Sequence, residues 1–312
     1  MPAIITSPPK SRPATFTRYA WAVLGWNLFV VLWGAYVRAS GSGAGCGNHW
    51  PLCNGDVVPR APRLETIIEF THRMTSAVSL LATGGLAVWS VLRFPRDHQV
   101  RRYGLLSVVF LFAEALLGAG LVLFEFVASN ASVGRAFYLS LHLVNTQFLL
   151  AALALTAWYS REPVPGAVRR SSRVIAGLPI AVMVSVTGAI AALGDTLYPV
   201  ASLAEGMRQD LSTASSFLLR LRVLHPVLAV LAAGYFAYAA MSVLRSKPRP
   251  LAAQIALTVI VLAVAQLGAG AINLTLLAPV WMQLVHLLLA DLLWLSLVLL
   301  VVEAPAYSSS SA

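Results

Sequence analysis

Four of the six histidines, His72, His142, His225 and His286, fall within the first two turns or so of apolar segments long enough to cross a bilayer. An imidazole inside a membrane helix is costly without a partner, so such residues mark ion, proton or cofactor sites. A single buried histidine reads as a hydrogen-bonded core residue, but four at one depth read as two pairs. Facing imidazoles in an apolar helical bundle suit a haem iron, which takes one axial ligand from each side of its ring. Copper and zinc sites usually add a thiolate, a carboxylate or a third imidazole.

The neighbours of the histidines differ between the pairs. Glu69 precedes His72 by three residues, on the same helix face, and Arg222 holds the equivalent place before His225. A carboxylate beside a metal pocket can take up protons or stabilise a cation, whereas an arginine is no base near neutral pH. This asymmetry makes the N-terminal half the chemical one and leaves the C-terminal half to hold a fixed cofactor. The competing reading of Glu69 is a solvated acid at a helix start, favoured there by the dipole. Arg73, Arg220 and Arg222 are placed to bind carboxylates such as haem propionates, or else to snorkel to the interface. Glu114, Glu125 and Asp291 also fall in apolar stretches, with roles left open, and His98 reads as solvated in a basic connector.

The elements that must carry these residues are membrane helices. The chain has 312 residues, 58% of them hydrophobic and 11% charged, with a mean hydropathy of +0.77. A crossing needs about 20 apolar residues, and eight segments qualify, near 19–38, 66–92, 103–127, 136–159, 174–194, 217–243, 251–275 and 280–302. The net charge of +10 lies in short connectors and not on one folded face, which argues against nucleic acid. The N-terminal tail and the second, fourth and sixth connectors hold 14 of the 22 Lys and Arg. By the positive-inside rule both termini are cytoplasmic, and all four helical histidines lie toward the outer face. The first apolar stretch is longer than a signal-peptide core and reads as the first crossing. Cys46 and Cys53, the only cysteines, sit in CGNHWPLC on the first external connector. A disulfide, structural or redox-active, a transient metal site with His49, and free thiols all fit that stretch.

The chain also repeats itself. Gly34-Ala35 precedes His72 by 38 residues as Gly188-Ala189 precedes His225 by 37. EALLGAG (Glu114 to Gly120) and AQLGAG (Ala265 to Gly270) follow in the third and seventh segments, and His142 and His286 come next. Four crossings separate equivalent segments, so the repeat is parallel. The expected fold is an all-α membrane protein, with eight transmembrane helices as two tandem pseudo-symmetric four-helix bundles. It divides into a cytoplasmic tail (1–18), an N-terminal bundle (19–160), a linker (161–173), a C-terminal bundle (174–303) and a disordered tail (304–312). Gly118, Gly120, Gly268 and Gly270 either let helices pack closely or leave room for a flat macrocycle. Pro226, directly after His225, removes a backbone donor in an early turn.

In GSGAGCGNHWPLC (Gly41 to Cys53), IIEFTHR (Ile67 to Arg73) and the three later histidines the chain resembles the haem A synthases, membrane proteins that convert haem O to haem A for cytochrome oxidase. The resemblance runs over roughly residues 19–302. It implies that His225 and His286 ligate a resident haem b and that His72 and His142 frame the substrate haem O. It further implies that Glu69 is the catalytic acid and that Cys46 and Cys53 are the external cysteine pair. The implied reaction oxidises a ring methyl to a formyl group by successive hydroxylations and loss of water. A haem O synthase is then the implied supplier, and an electron donor is required. The chain departs from members with a second cysteine pair, since Gly194 to Asp210 contains no cysteine. Two other readings share the histidines: a bis-histidine di-haem cytochrome taking electrons from quinol, and a transporter with histidines in its pathway.

Overall fold

The computed structural model describes residues 14–161, 171–212 and 217–304. Eight of its helices are long and apolar enough to cross a membrane. They are α1 (Ala14–Ala39), α2 (Leu64–Arg93), α3 (Gln99–Leu123), α4 (Val133–Tyr159), α5 (Ser172–Leu197), α7 (Phe217–Arg245), α8 (Pro250–Thr275) and α9 (Val280–Glu303). A ninth, α6 (Leu203–Leu211), is short and lies in the connector between α5 and α7. The ends expected at 1–18 and 304–312 and the linker at 161–173 lie largely outside the described residues.

Two differences from the sequence reading have local causes. Helix α3 begins at Gln99, because His98 is its N-cap and its Nδ1 accepts from the Val100 N–H at 3.2 Å. His98 is thus a capping residue and not merely a solvated one. The same helix ends at Leu123, which leaves Glu125 in the following connector with a φ of +56°. Helix α6 was not expected. It is started by a capping box in which Ser202 accepts from the Glu205 N–H and the Glu205 carboxylate accepts from the Ala201 N–H. Helix α7 runs unbroken through Pro226.

The crossings pack as two rings. Helices α1, α2, α3 and α4 each touch the next and α1 touches α4; α5, α7, α8 and α9 do the same. The rings meet where α4 lies on α5 and α9, and where α1 lies on α9. At this seam the apolar core is continuous, with Leu149, Leu150 and Leu153 of α4 buried together with Leu293, Leu297 and Leu300 of α9. Polar links cross it at both ends. Trp158 donates to Glu303 Oε1 at 2.8 Å and Trp294 donates to the Gln147 carbonyl at 2.8 Å. At the opposite end, Arg38 of α1 donates to the Ala192 carbonyl and Thr196 Oγ1 of α5, and to Gln283 Oε1 of α9.

Candidate functional site

All four helical histidines sit at the end of the molecule where α1, α3, α5 and α8 finish and α2, α4, α7 and α9 begin. Each imidazole lies against a glycine of the helix facing it. A Cβ added to Gly34 would fall 2.9 Å from His72 Cε1, and one on Gly188 would fall 2.9 Å from His225 Cε1. A Cβ on Gly270 would come within 3.2 Å of His286 Cε1, and one on Gly118 would lie 3.9 Å from both Cε1 and Nε2 of His142. At Gly34 and Gly188 a side chain would force the ring to shift, and at Gly270 it would press the ring by a few tenths of an ångström, so glycine leaves the imidazoles their place.

This geometry corrects the alignment of the repeats. Matching LGAG to LGAG equates Gly118 with Gly268, but nothing lies within 4 Å of a Cβ on Gly268, whereas Gly270 meets a histidine. The spatial equivalent of Gly118 is therefore Gly270, two residues later. Gly120 serves a different purpose, since its Cβ would strike the Tyr138 ring at 2.7 Å.

In the C-terminal ring the His225 and His286 ring centres are 6.5 Å apart. Two metal–nitrogen bonds of about 2 Å each, plus the distance from each nitrogen to its ring centre, come to about 6 Å, so this spacing suits a shared iron. The Thr187 hydroxyl donates to the Val184 carbonyl at 2.8 Å and lies 3.1 Å from His225 Nδ1. Its one proton is committed there, so Nδ1–H of His225 donates to it and Nε2 is left as the ligating atom. Gln266 Nε2 lies 3.3 Å from His286 Nε2, while His286 Nδ1 is buried without a partner. These groups fit a haem held by two imidazoles.

In the N-terminal ring His72 Nδ1 is buried without a hydrogen-bond partner. His142 Nδ1 lies 3.2 Å from Glu114 Oε1, within ion-pair distance but off the line a hydrogen bond requires. Glu69 is only 3% exposed and is not a solvated helix-start acid. Its Oε2 accepts from the Cys46 backbone N–H at 2.9 Å, and its Oε1 is bound by the Arg73 guanidinium. Arg73 in turn donates to the carbonyls of His49 and Leu52 in the first connector. Arg222, at the equivalent place, pairs with Asp195 in the last turn of α5 and with Asp210 of α6, and so ties α7 to α5 and to the connector that follows it. Both positions latch the connector that precedes them, with opposite charge.

Cys46 and Cys53 form a disulfide, and both are buried. Among the described residues no group of three or more His, Cys, Asp or Glu could hold a metal ion, which leaves the alternative with His49 without ligands. Of the arginines expected to meet propionates, Arg73 and Arg222 are already engaged with carboxylates, and Arg220 is exposed. Sequence reasoning missed Arg38 and Arg135. Arg135 is 3% exposed, donates to the Ala128 and Asn130 carbonyls, and keeps Nε buried without a partner.

The family described as COX15-CtaA, cytochrome oxidase assembly protein, matches residues 17–298. A Thermus thermophilus protein named protoheme IX farnesyltransferase is 48% identical over 290 residues, which is 92% of this chain and 48% of that protein. The chain thus spans about half the length of this relative. A heme A synthase of Bacillus licheniformis is 45% identical over 97 residues, 31% of this chain and 32% of that protein. A heme A synthase of an Exiguobacterium species is 31% identical over 163 residues, 52% of each chain.

Proposed function

The chain belongs to the COX15-CtaA family of cytochrome oxidase assembly proteins, and from that premise we propose that it is a membrane oxidoreductase that oxidises a ring methyl of haem O to the formyl group of haem A. The observation that carries this reading is the duplicated imidazole–glycine pairing, His72 with Gly34 and His142 with Gly118 in one ring, His225 with Gly188 and His286 with Gly270 in the other. Relatives named heme A synthase support the substrate, and the longer Thermus relative named for protoheme farnesylation supports a haem O synthase as supplier.

In this reading the two rings divide the work. His225 and His286 hold a resident haem b, with His225 oriented by Thr187. His72 and His142 frame the substrate. Bound iron supplies the oxidising and electron-carrying chemistry, and the protein supplies ligation, orientation and charge. Glu69 is the catalytic carboxylate. It is positioned by Arg73 and the Cys46 N–H, three residues from His72, where it stabilises positive charge developing at the substrate and takes up its protons. Arg135, buried at the histidine end with its Nε unpartnered, and the half-buried Arg38 take the place of the carboxylate-bound Arg73 and Arg222 as partners for propionates. The Cys46–Cys53 pair sits against Glu69, where it serves as a staple or passes electrons from the donor that the reaction requires.

The test is conversion of added haem O by purified protein supplied with an oxygen source and a chemical reductant, followed by haem extraction and chromatography, on wild type and on His72→Ala and His225→Ala. Haem A is expected from wild type alone, with resident haem lost only in His225→Ala. Visible haem bands without any conversion of haem O would indicate the quinol-linked di-haem cytochrome instead, and a colourless protein would indicate a transporter.

A further inference from the structure

The corrected register aligns Glu114 with Gln266, each four residues before the glycine that faces a histidine, so one turn carries a carboxylate in the N-terminal ring and a neutral amide in the C-terminal ring. Three groups converge on that carboxylate. Asn145 Nδ2 donates to Oε2 at 2.6 Å, the Thr146 hydroxyl, whose one proton is shared with the His142 carbonyl, donates to Oε1, and His142 Nδ1 stands 3.2 Å from the same Oε1. Asn145 also donates to the Phe110 carbonyl at 2.8 Å, which fixes its amide against α3. Glu114 is therefore held from α4 by two donors that keep one oxygen beside the imidazole.

We infer that Glu114, at ion-pair distance from His142 Nδ1, is a positioning residue that accepts Nδ1–H once the imidazole turns to iron and makes it the stronger ligand of the N-terminal pair, setting the substrate iron at a lower reduction potential than a neutral partner would. This rests on the reading of His72 and His142 as ligands of the substrate haem. An imidazole bound to iron through Nε2 has only Nδ1–H left to donate, and a carboxylate accepting it fixes the ring and raises the basicity of the ligating nitrogen. A more basic axial ligand favours ferric over ferrous iron. Among the described residues His142 alone of the four has a carboxylate within ion-pair distance of Nδ1; His225 Nδ1–H meets a neutral hydroxyl, and no hydrogen-bond partner lines up with Nδ1 of His72, His142 or His286.

The experiment is a spectroelectrochemical titration of protein carrying haem in both rings, comparing wild type with Glu114→Gln. Glu114→Gln keeps the shape and removes the charge. It is expected to favour ferrous iron in the N-terminal ring about tenfold, an upward shift of about 59 mV for one electron, with the C-terminal haem unmoved. An unchanged N-terminal potential at full occupancy overturns the inference. Should Glu114→Gln fail to accumulate or bind haem, Glu114→Asp, which keeps the charge but draws the carboxylate back from Nδ1, is titrated instead; a smaller upward shift supports the inference and no shift overturns it. Wild type that takes haem into the C-terminal ring alone defeats the proposed function, and this inference with it.

Discussion

Residue scale is where the site is most constrained, because an imidazole and a facing backbone leave no room for a methyl group. Gly188→Ala places a Cβ 2.9 Å from His225 Cε1, so the ring must rotate away from the position in which Thr187 holds it. Most of the resident haem is expected to be lost on purification, as read by a pyridine haemochrome assay. Gly268→Ala, with nothing within 4 Å of the new Cβ, is the control and should retain wild-type haem; equal haem in both variants would refute the glycine cradle. At Glu69 the expectation is chemical. Glu69→Gln preserves volume and one acceptor but not the charge, and should slow haem A formation about 100-fold, the low end for a positioned acid or base, while the resident haem bands persist. Unimpaired turnover would remove Glu69 from the mechanism. The histidines and Glu69 were legible in the sequence because residue type and depth in an apolar segment are local facts. Arg38 was not, since its partners lie 154 to 245 residues away. The glycine register misled by two residues because a repeated LGAG text says nothing about which glycine faces the ring.

At the scale of elements, eight crossings were legible because lipid demands long apolar helices with every backbone group paired internally. The exceptions are places where a polar side chain decides. Helix α6 escaped a search for apolar runs although Ser202 and Glu205 carry its start signal, and α3 began early because His98 caps it. The first connector shows how such local chemistry reaches the site. Its disulfide closes a loop over seven residues of sequence, and the Cys46 N–H inside that loop ends on Glu69. Removing a crosslink over so short a loop gives the open connector about 2–3 kcal/mol more freedom in the chain-entropy treatment. Cys46→Ser with Cys53→Ser should therefore speed hydrogen exchange at residues 46–53 by about 50-fold, RT ln 50 being about 2.3 kcal/mol. The core of α4 should be unaffected. Slow exchange retained in the double variant would show that Arg73 and its carbonyl contacts suffice to hold the loop.

For the whole molecule, two rings built on one plan place both imidazole pairs at a single end, and the remaining question of function is which side of the membrane that end faces. We propose an answer from the sequence: the N-terminal tail and the second, fourth and sixth connectors hold 14 of the 22 Lys and Arg, and basic connectors stay in the cytoplasm. This proposal puts the histidines, the disulfide loop and α6 on the outer side, where a disulfide persists. Because both cysteines are already paired among themselves, a single introduced thiol reports its side without background. Ala201 is exposed in the α6 connector and Asp97 is exposed in the connector before α3. In intact cells Ala201→Cys should react with a membrane-impermeant maleimide and Asp97→Cys should not, until the membrane is opened. The reverse pattern would place the disulfide loop in the reducing cytoplasm, and with it the carboxylate latch on Glu69 would lose the covalent support that holds Cys46 in place.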